Sequence, residues 1–312
     1  MKVLLTGATG FLGARLAEVL TNRSDMELSA AVRRPVEVPA ERIVQVPELD
    51  GSTDWSEAVH GQTVVIHAAA RAHVMKDTAT DPLVEYRRVN VDGTLNLARQ
   101  AADAGVKRFV FISSIKVNGE ETPLGAPFTA DDQAMPKDPY GVSKWEAEQG
   151  LKQLASETGI EVVIIRPPLV YGPGVKGNFA SMIKLVDKGL PLPFGAIHNQ
   201  RSLVALDNLV DLIVTCVMHP KAANQVFLAG DGQDLSTTAL LRGVAHAMGK
   251  PSRLIPVPES LLRSAAHMLG KRGLAKRLLG SLQVDISKAQ THMDWRPPIS
   301  VEEGLRRCFK QD

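Results

Sequence analysis

The chain has 312 residues and carries 36 Lys and Arg against 34 Asp and Glu, a net charge of +2, so neither a nucleic-acid-coating surface nor an acidic solubilising tail is indicated. That length buries a sizeable core in one large domain or two modest ones. Two distant cysteines, Cys216 and Cys308, argue against a disulfide framework or a cysteine-rich zinc site and fit a reducing cytoplasm.

The N-terminal run MKVLLTGATGFLG is broken by glycines and too short for a signal peptide, and no stretch reaches the roughly 18 apolar residues of a membrane span. The chain is therefore expected to be cytoplasmic, neither exported nor membrane-spanning. From Lys2 to about Arg166, short β-branched runs alternate with longer amphipathic ones, the pattern of parallel strands joined by crossover helices. Strands are expected at Lys2–Thr6, Glu27–Val32, Ile43–Val46, Thr63–His67, Arg108–Ser113 and Glu161–Arg166. Helices are expected at Phe11–Leu20, Leu83–Ala104 and Tyr140–Glu157, the last with Asp138 as N-cap and Pro139 at its first position. Six strands and their helices make an α/β, doubly wound parallel sheet over residues 1–166. After Arg166, prolines and glycines cluster between Pro167 and Gly195 and the alternation stops, so residues 167–312 read as a smaller, mainly substrate-binding region that returns in part to the core. Within it, Ser260–Leu282 sets Arg263, His267, Lys271, Arg272, Lys276 and Arg277 among leucines. Basic amphipathic helices bind membrane surfaces or partners, but the simpler reading is a solvated helix face that also attracts an anionic substrate.

The first strand runs into Gly7, Ala8, Thr9, Gly10, Phe11, Leu12 and Gly13, which open a helix. Gly7 permits the turn, Gly10 lets backbone approach a pyrophosphate, Gly13 lets the helix pack on the strand, and free helix N–H groups face the anion. The second strand ends in Val32, Arg33 and Arg34 rather than in the acidic residue that holds both ribose hydroxyls of NAD. Two guanidiniums suit a 2′-phosphate, so NADP(H) is favoured, with NAD(H) the alternative.

Tyr140 and Lys144 lie at i and i+4 on one helix face. A free phenol with a pKa near 10 releases its proton poorly at neutral pH, and an ammonium one turn away favours the phenolate. The strand Phe109–Ser114 ends in two hydroxyls at a carboxyl edge, where ligands bind in open α/β sheets. There Ser114 is placed to hold the oxygen that Tyr140 protonates or deprotonates, with Ser113 beside the cofactor.

With its GxxGxxG spacing, the chain resembles the extended short-chain dehydrogenase/reductase superfamily, which implies a Rossmann-type fold. Further similar stretches are Val65–Ala70, with Ala68, Ala69 and Ala70 against the cofactor; Asn90–Thr94, with Asn90 in the cofactor set; Glu48–Leu49 near the adenine; Arg166–Pro167 and Val170–Pro173, with Pro167 near the nicotinamide; and the closing Ser287–Ala289, Trp295, Pro297 and Val301–Leu305. Asn118 departs from the family's usual Tyr. On the substrate side, Asn178, the turn Pro193–Phe194–Gly195, and Arg201 with Leu206–Asn208 resemble a UDP-sugar grip; Arg201 suits two phosphates and the turn can present backbone groups to a uracil.

Sugar dehydratases of this family carry an Asp–Glu pair after the catalytic hydroxyl residue, where this chain has Ile115 and Lys116. Dehydration is therefore not expected. Arg33, Arg34, and Leu169 in place of a substrate-touching Asn together suggest an NADPH-dependent 4-ketoreductase of a UDP-linked 4-keto-6-deoxy sugar, N-acetylated in one variant of this reading, acting in surface-polysaccharide synthesis. The alternatives are a UDP-sugar 4-epimerase with tightly bound NAD and an NADPH reductase of a small non-sugar carbonyl; a non-catalytic cofactor sensor would usually lack the Tyr and Lys. The resemblance also implies a homodimer through the helices at Leu83–Ala104 and Tyr140–Glu157. The histidines at 73, 198, 219, 246, 267 and 292 show no metal-ligand spacing, and no metal is expected.

Overall fold

The chain alternates strand and helix from its first residues in a computed structural model that describes residues 1–72 and 81–309. His73, one of the histidines without metal-ligand spacing, lies outside the described residues. β1 (Lys2–Thr6), α1 (Phe11–Thr21), β2 (Glu27–Val32), β3 (Arg42–Gln45), α2 (Ser56–Val59), β4 (Val64–His67), α3 (Pro82–Arg87), α4 (Gly93–Asp103), β5 (Arg108–Ile112), α5 (Pro139–Thr158) and β6 (Glu161–Arg166) build the first half. All six expected strands form, with ends within about a residue of the sequence reading.

A seventh strand completes the sheet. β7 (Leu169–Tyr171), α6 (Gly177–Asp187), β8 (Leu203–Ala205) and α7 (Leu206–Met218) lead to β9 (Val226–Leu228), which pairs in parallel with β6 through Ile164, Ile165 and Arg166. Three residues are too few to display an alternation, which is why this strand was not expected. The strand order is β3-β2-β1-β4-β5-β6-β9, all parallel. Order reverses at β1, and Thr6 pairs with Ala31 of β2 on one side and His67 of β4 on the other. The loop leaving Thr6 thus opens into the crevice at the switch point, where open α/β sheets bind ligands.

Alternate side chains of the strands enter two cores. One face joins Val3, Leu5 and Ile66 to Leu16 and Leu20 of α1, Leu209 and Ile213 of α7, and Trp295. The other joins Leu4, Val65, Phe109 and Phe111 to Leu97 of α4 and Leu151 of α5. Residues beyond 166 therefore return to the core. A third cluster, Tyr171, Phe179, Leu203, Leu240, Val244 and Leu305, sits under the two-stranded β7–β8 sheet with α8 (Thr237–Ala247) and α12 (Val301–Arg307). α9 (Glu259–Met268) and α10 (Arg272–Leu279) pack chiefly on each other, and α11 (Ser287–Met293) returns to the β9 edge.

Two helices position the site. α5 begins as read, with the Asp138 carboxylate accepting from Gly141 N at 2.6 Å and Pro139 at the first turn. The expected helix Leu83–Ala104 is one helical run, but Arg88–Asp92 is a π-turn between α3 and α4. The extra residue in that turn sets Asn90 inward, fully buried.

Candidate functional site

The glycine loop is built from backbone. Gly7 has φ +78°, the left-handed region that favours glycine, and a Cβ there would lie 2.7 Å from Ala69 N. A Cβ on Gly13 would lie 2.0 Å from Gly7 O, so the helix can start this close to the strand only with glycine. Gly10, the N-cap of α1, supplies no side-chain acceptor, and first-turn N–H groups are left for an anion. These residues fit a dinucleotide pyrophosphate: Gly7 and Gly13 keep the loop and the helix start pressed on the strand, so that backbone N–H groups rather than side chains line the anion's approach. Thr9 and Gly10 are exposed at its mouth; Phe11 and Leu12 are half-buried against the first core, and Ala68 and Ala69 are half-buried opposite the loop, followed by exposed Ala70.

At the end of β2, Arg33 and Arg34 are both exposed, with no hydrogen bond or ion pair among the described residues, so their guanidiniums are available to an anion. Glu48 and Leu49 have other partners. The Glu48 carboxylate accepts from Arg88 at 3.0 Å, and the Leu49 backbone packs on Gly93, where a Cβ would lie 2.9 Å from it. Asn90, expected in the cofactor set, braces the site: its amide accepts from Arg71 N at 2.8 Å and donates to Arg71 O and Ser143 Oγ, each at 3.1 Å. That clamp ties the exit of β4 to α5. His67, buried between Thr6 Oγ1 at 2.7 Å and Thr94 Oγ1 at 3.0 Å, is held neutral with its pKa pushed down to about 3 by burial and the nearby Lys144 ammonium.

The catalytic candidates gather at the carboxyl end of β5. Ser114, half-buried, caps the 3-10 turn Ile115–Val117 by accepting from Lys116 N at 3.3 Å. The Lys116 ammonium pairs with the Asp138 carboxylate at the start of α5, and a Cβ on Gly141 would lie 2.9 Å from Lys116 O. These contacts lock the turn carrying Ser114 against the helical turn carrying Tyr140. The Tyr140 ring meets Tyr86 of α3 edge-on at 5.9 Å, and Lys116 Nζ lies 5.8 Å from its centroid. Lys144, one turn on, is buried with Nζ 4.0 Å from the Phe111 ring centroid.

Electrostatics correct one expectation. Desolvation first, then the Asp138 carboxylate and Tyr86, push the Tyr140 phenol well above its ordinary pKa. Lys144 is itself driven down to about 7 by burial, against an upward pull from Glu148. Among protein groups alone, the phenol is a protonated donor, and the lysine is poised to change charge near neutrality.

Beneath this face lies a network that the sequence reading missed. Glu148 Oε1 accepts from Ser113 Oγ at 2.5 Å and from Arg166 Nε at 2.9 Å, and Arg166 Nη2 donates to Glu148 Oε2 at 2.6 Å. Arg166 Nη1 reaches Asn118 Oδ1 at 2.9 Å. Ser113, expected at the cofactor, is thus committed to Glu148; Asn118, the departure from the family's Tyr, completes the Arg166 cage. The available signal was the spacing of Tyr140, Lys144 and Glu148, each four residues apart on one helix face. Pro167, buried, accepts from Ile115 N at 3.0 Å.

The expected substrate residues come from separate loops. Asn178 is exposed at the start of α6. In the turn after Pro193, Gly195 N donates to Ile255 O at 2.9 Å and Phe194 O accepts from Thr238 Oγ1 at 2.6 Å, so those two backbone groups are not free for a base. Arg201 uses Nη1 on Gly280 O at 3.0 Å, and burial pulls its pKa down. Asp207 and Asn208 prove structural: Asp207 pairs with Arg15 and Arg307, and Asn208 holds Asp231 and Ile299. Among the described residues no cluster of His, Cys, Asp or Glu could hold a metal ion, and no helix is long and apolar enough to cross a membrane.

Residues 3–230 match the NAD dependent epimerase/dehydratase family. The chain is 52% identical over 306 residues, 98% of its own length and 93% of the relative's, to a UDP-glucose 4-epimerase from Vibrio cholerae. It is 29% identical to the N-acetyl-alpha-D-glucosaminyl-diphospho-ditrans,octacis-undecaprenol 4-epimerase of Escherichia coli O157:H7, over 99% and 95% of the two chains. In fold it is similar to the UDP-glucuronic acid 4-epimerase of Bacillus cereus solved with UDP-glucuronic acid and NAD, with a TM-score of 0.78, 23% identity, and coverage of 99% and 98%.

Proposed function

The chain belongs to the NAD dependent epimerase/dehydratase family, as an enzyme of the extended short-chain dehydrogenase/reductase type, and from that premise we propose that it inverts C4 of a UDP-linked hexose. The observation that supports this reading is Ser114 at the carboxyl end of β5 locked through Lys116 and Asp138 to the start of α5, which carries Tyr140 and Lys144, in a chain with 52% identity to a UDP-glucose 4-epimerase. It replaces the one-way ketoreductase as the first reading, because a relative 52% identical over 98% of the chain is a UDP-glucose 4-epimerase.

NAD(P), when bound, supplies the hydride acceptor and donor for the sugar carbon. Tyr140 moves the proton at the C4 oxygen, Ser114 Oγ orients that oxygen, and Lys144 supplies positive charge and a donor beside Tyr140. Gly7–Gly13 cradle the pyrophosphate, flanked by Ala68–Ala70. Arg201 and Asn178 take the UDP end, Arg201 through the guanidinium nitrogens not committed to Gly280, and the Pro193–Gly195 turn contributes at most the backbone groups left beside Gly195 N and Phe194 O. Dehydration is disfavoured: Ile115 is buried and the Lys116 ammonium is engaged with Asp138, which leaves neither position an acid or a base for elimination. A homodimer through the outer faces of α3, α4 and α5 is supported by the exposed apolar Val84 and Trp145 there.

Arg33 and Arg34 favour a second reading, the NADPH-dependent 4-ketoreductase of a UDP-linked 4-keto sugar: two exposed guanidiniums, without an ion pair among the described residues, stand at the strand end where a 2′-phosphate would lie. One experiment separates the two. Denaturing release and mass analysis of nucleotide from the purified protein, with UDP-glucose and UDP-galactose then supplied without added cofactor, should give retained NAD and interconversion. Empty protein that binds NADPH over NADH, and loses that preference in Arg33→Ala/Arg34→Ala, would overturn the epimerase and establish the reductase.

A further inference from the structure

The side chains of the basic segment of residues 259–280 have no part in the site described above, which the segment meets only at Gly280 O. It forms a helical hairpin of α9 and α10, turned at Gly270 with φ +67°. α9 buries none of its residues and α10 buries only Leu279. On α9, Leu261, Ala265 and Met268 recur at the spacing of one helix stripe, and the stripe points outward. Exposure reaches 82% at Met268, 70% at Leu269, 60% at Leu261 and 51% at Leu274, which a merely solvated face would not need.

Charge identifies what covers this surface. The segment holds five Lys and Arg against the single acid Glu259, in a chain whose whole balance is only +2. Arg263 is paired with Glu259, and Lys276 with Glu120 and Glu121. Arg272 shares a hydrogen bond with His267, while Lys271 and Arg277 have no ion partner among the described residues. Cations therefore flank an outward apolar tip. That combination complements a surface of phosphates over acyl chains, the apolar tip entering the acyl boundary and the cations meeting the headgroups.

We propose that the α9–α10 hairpin docks on an anionic lipid surface through Leu261, Met268, Leu269 and Leu274, with Lys271, Arg272 and Arg277 on the headgroups. The inference is independent of the reaction assigned above. Its consequence is positional, because the base of the hairpin borders the substrate side: Lys276 holds Glu120 in the loop after Ser114, and Gly280 O accepts from Arg201. A docked hairpin would thus hold that side of the enzyme at the headgroup layer.

Flotation of the full chain with phosphatidylglycerol/phosphatidylcholine vesicles, and with phosphatidylcholine vesicles alone, tests this. Wild type should rise with the anionic vesicles only, and less as salt increases. Met268→Ser/Leu269→Ser should lose flotation, and Lys271→Gln/Arg272→Gln should lower partitioning about thirty-fold, near what two headgroup-facing cations contribute. Both pairs are exposed, so unchanged thermal midpoints would certify folding. The proposal falls if wild type stays in the buffer, if it floats equally with neutral vesicles, or if the variants float as well as wild type. It falls too if sedimentation velocity shows that Met268 and Leu269 close a contact between two copies of the chain.

Discussion

The two ends of the candidate site are held together by different means. At the glycine loop, backbone meets backbone: Gly13 is pressed on Gly7 and Gly7 on Ala69, with no charged side chain involved. At the Tyr140 end, position comes from buried charge, with Glu148 and Arg166 almost wholly enclosed and each given a further partner, Ser113 on Glu148 and Asn118 on Arg166. A backbone-built site is encoded by residues that are small, so its spacing shows in the sequence. A side-chain-built site depends on partners tens of residues apart, which no local pattern reveals.

The difference can be broken at its strongest point. Glu148→Ala would leave Arg166 a buried cation with only Asn118 as partner, and breaking such a pair costs about 3–5 kcal/mol. Urea unfolding of the variant should show that loss, and Glu148→Gln, which keeps a hydrogen-bonding group, should show less. A loss below about 1 kcal/mol for Glu148→Ala would mean that the catalytic end does not lean on this network. Tyr140→Phe tests the face above it. Removing the phenol oxygen should cut turnover by about 10²–10⁴ while cofactor titration and the unfolding midpoint stay near wild type, because the ring keeps its contact with Tyr86. Equal loss of cofactor affinity would assign Tyr140 to binding instead.

Legibility follows the same division. The six strands of the first half carried enough β-branched alternation to be placed, and Asp138–Pro139 announced the start of α5 in its own composition. β9 escaped because three residues fix no period and its partner lies some sixty residues earlier on β6. The π-turn at Arg88–Asp92 left no mark either, since one extra residue in a helical turn changes no residue type. At the candidate site, Ser114, Tyr140 and Lys144 were proposed from their chemistry, and the structure sets Ser114 at the end of β5 and the other two on the first turns of α5. Asn90 and Ser113 were readable only as members of the site; that they brace Arg71 and Glu148 rather than face outward is a three-dimensional fact. The Asp207–Asn208 pair was read from its resemblance to a UDP-sugar grip, and its long-range partners Arg15, Arg307 and Ile299 are invisible locally.

A smaller effect sharpens the comparison at Lys144, which belongs to the catalytic end but is not part of its ionic cage. Burial holds its pKa near 7, whereas the unfolded chain titrates it at an ordinary lysine value near 10.5. Between those two values the unfolded state binds the extra proton, so this residue makes stability rise with pH from about 7 upward, and its full penalty is present below 7. Lys144→Met fills much of the same volume without the charge. It should abolish turnover yet raise stability at pH 6 by about 1–2 kcal/mol, a gain that shrinks toward pH 10. Unfolding midpoints taken across that range decide the matter. A gain independent of pH would attribute the effect to packing on Phe111, and no gain would mean that the cost of enclosing the ammonium is repaid by Phe111 and the nearby Glu148 carboxylate, which would extend the ionic cage up to the catalytic face itself.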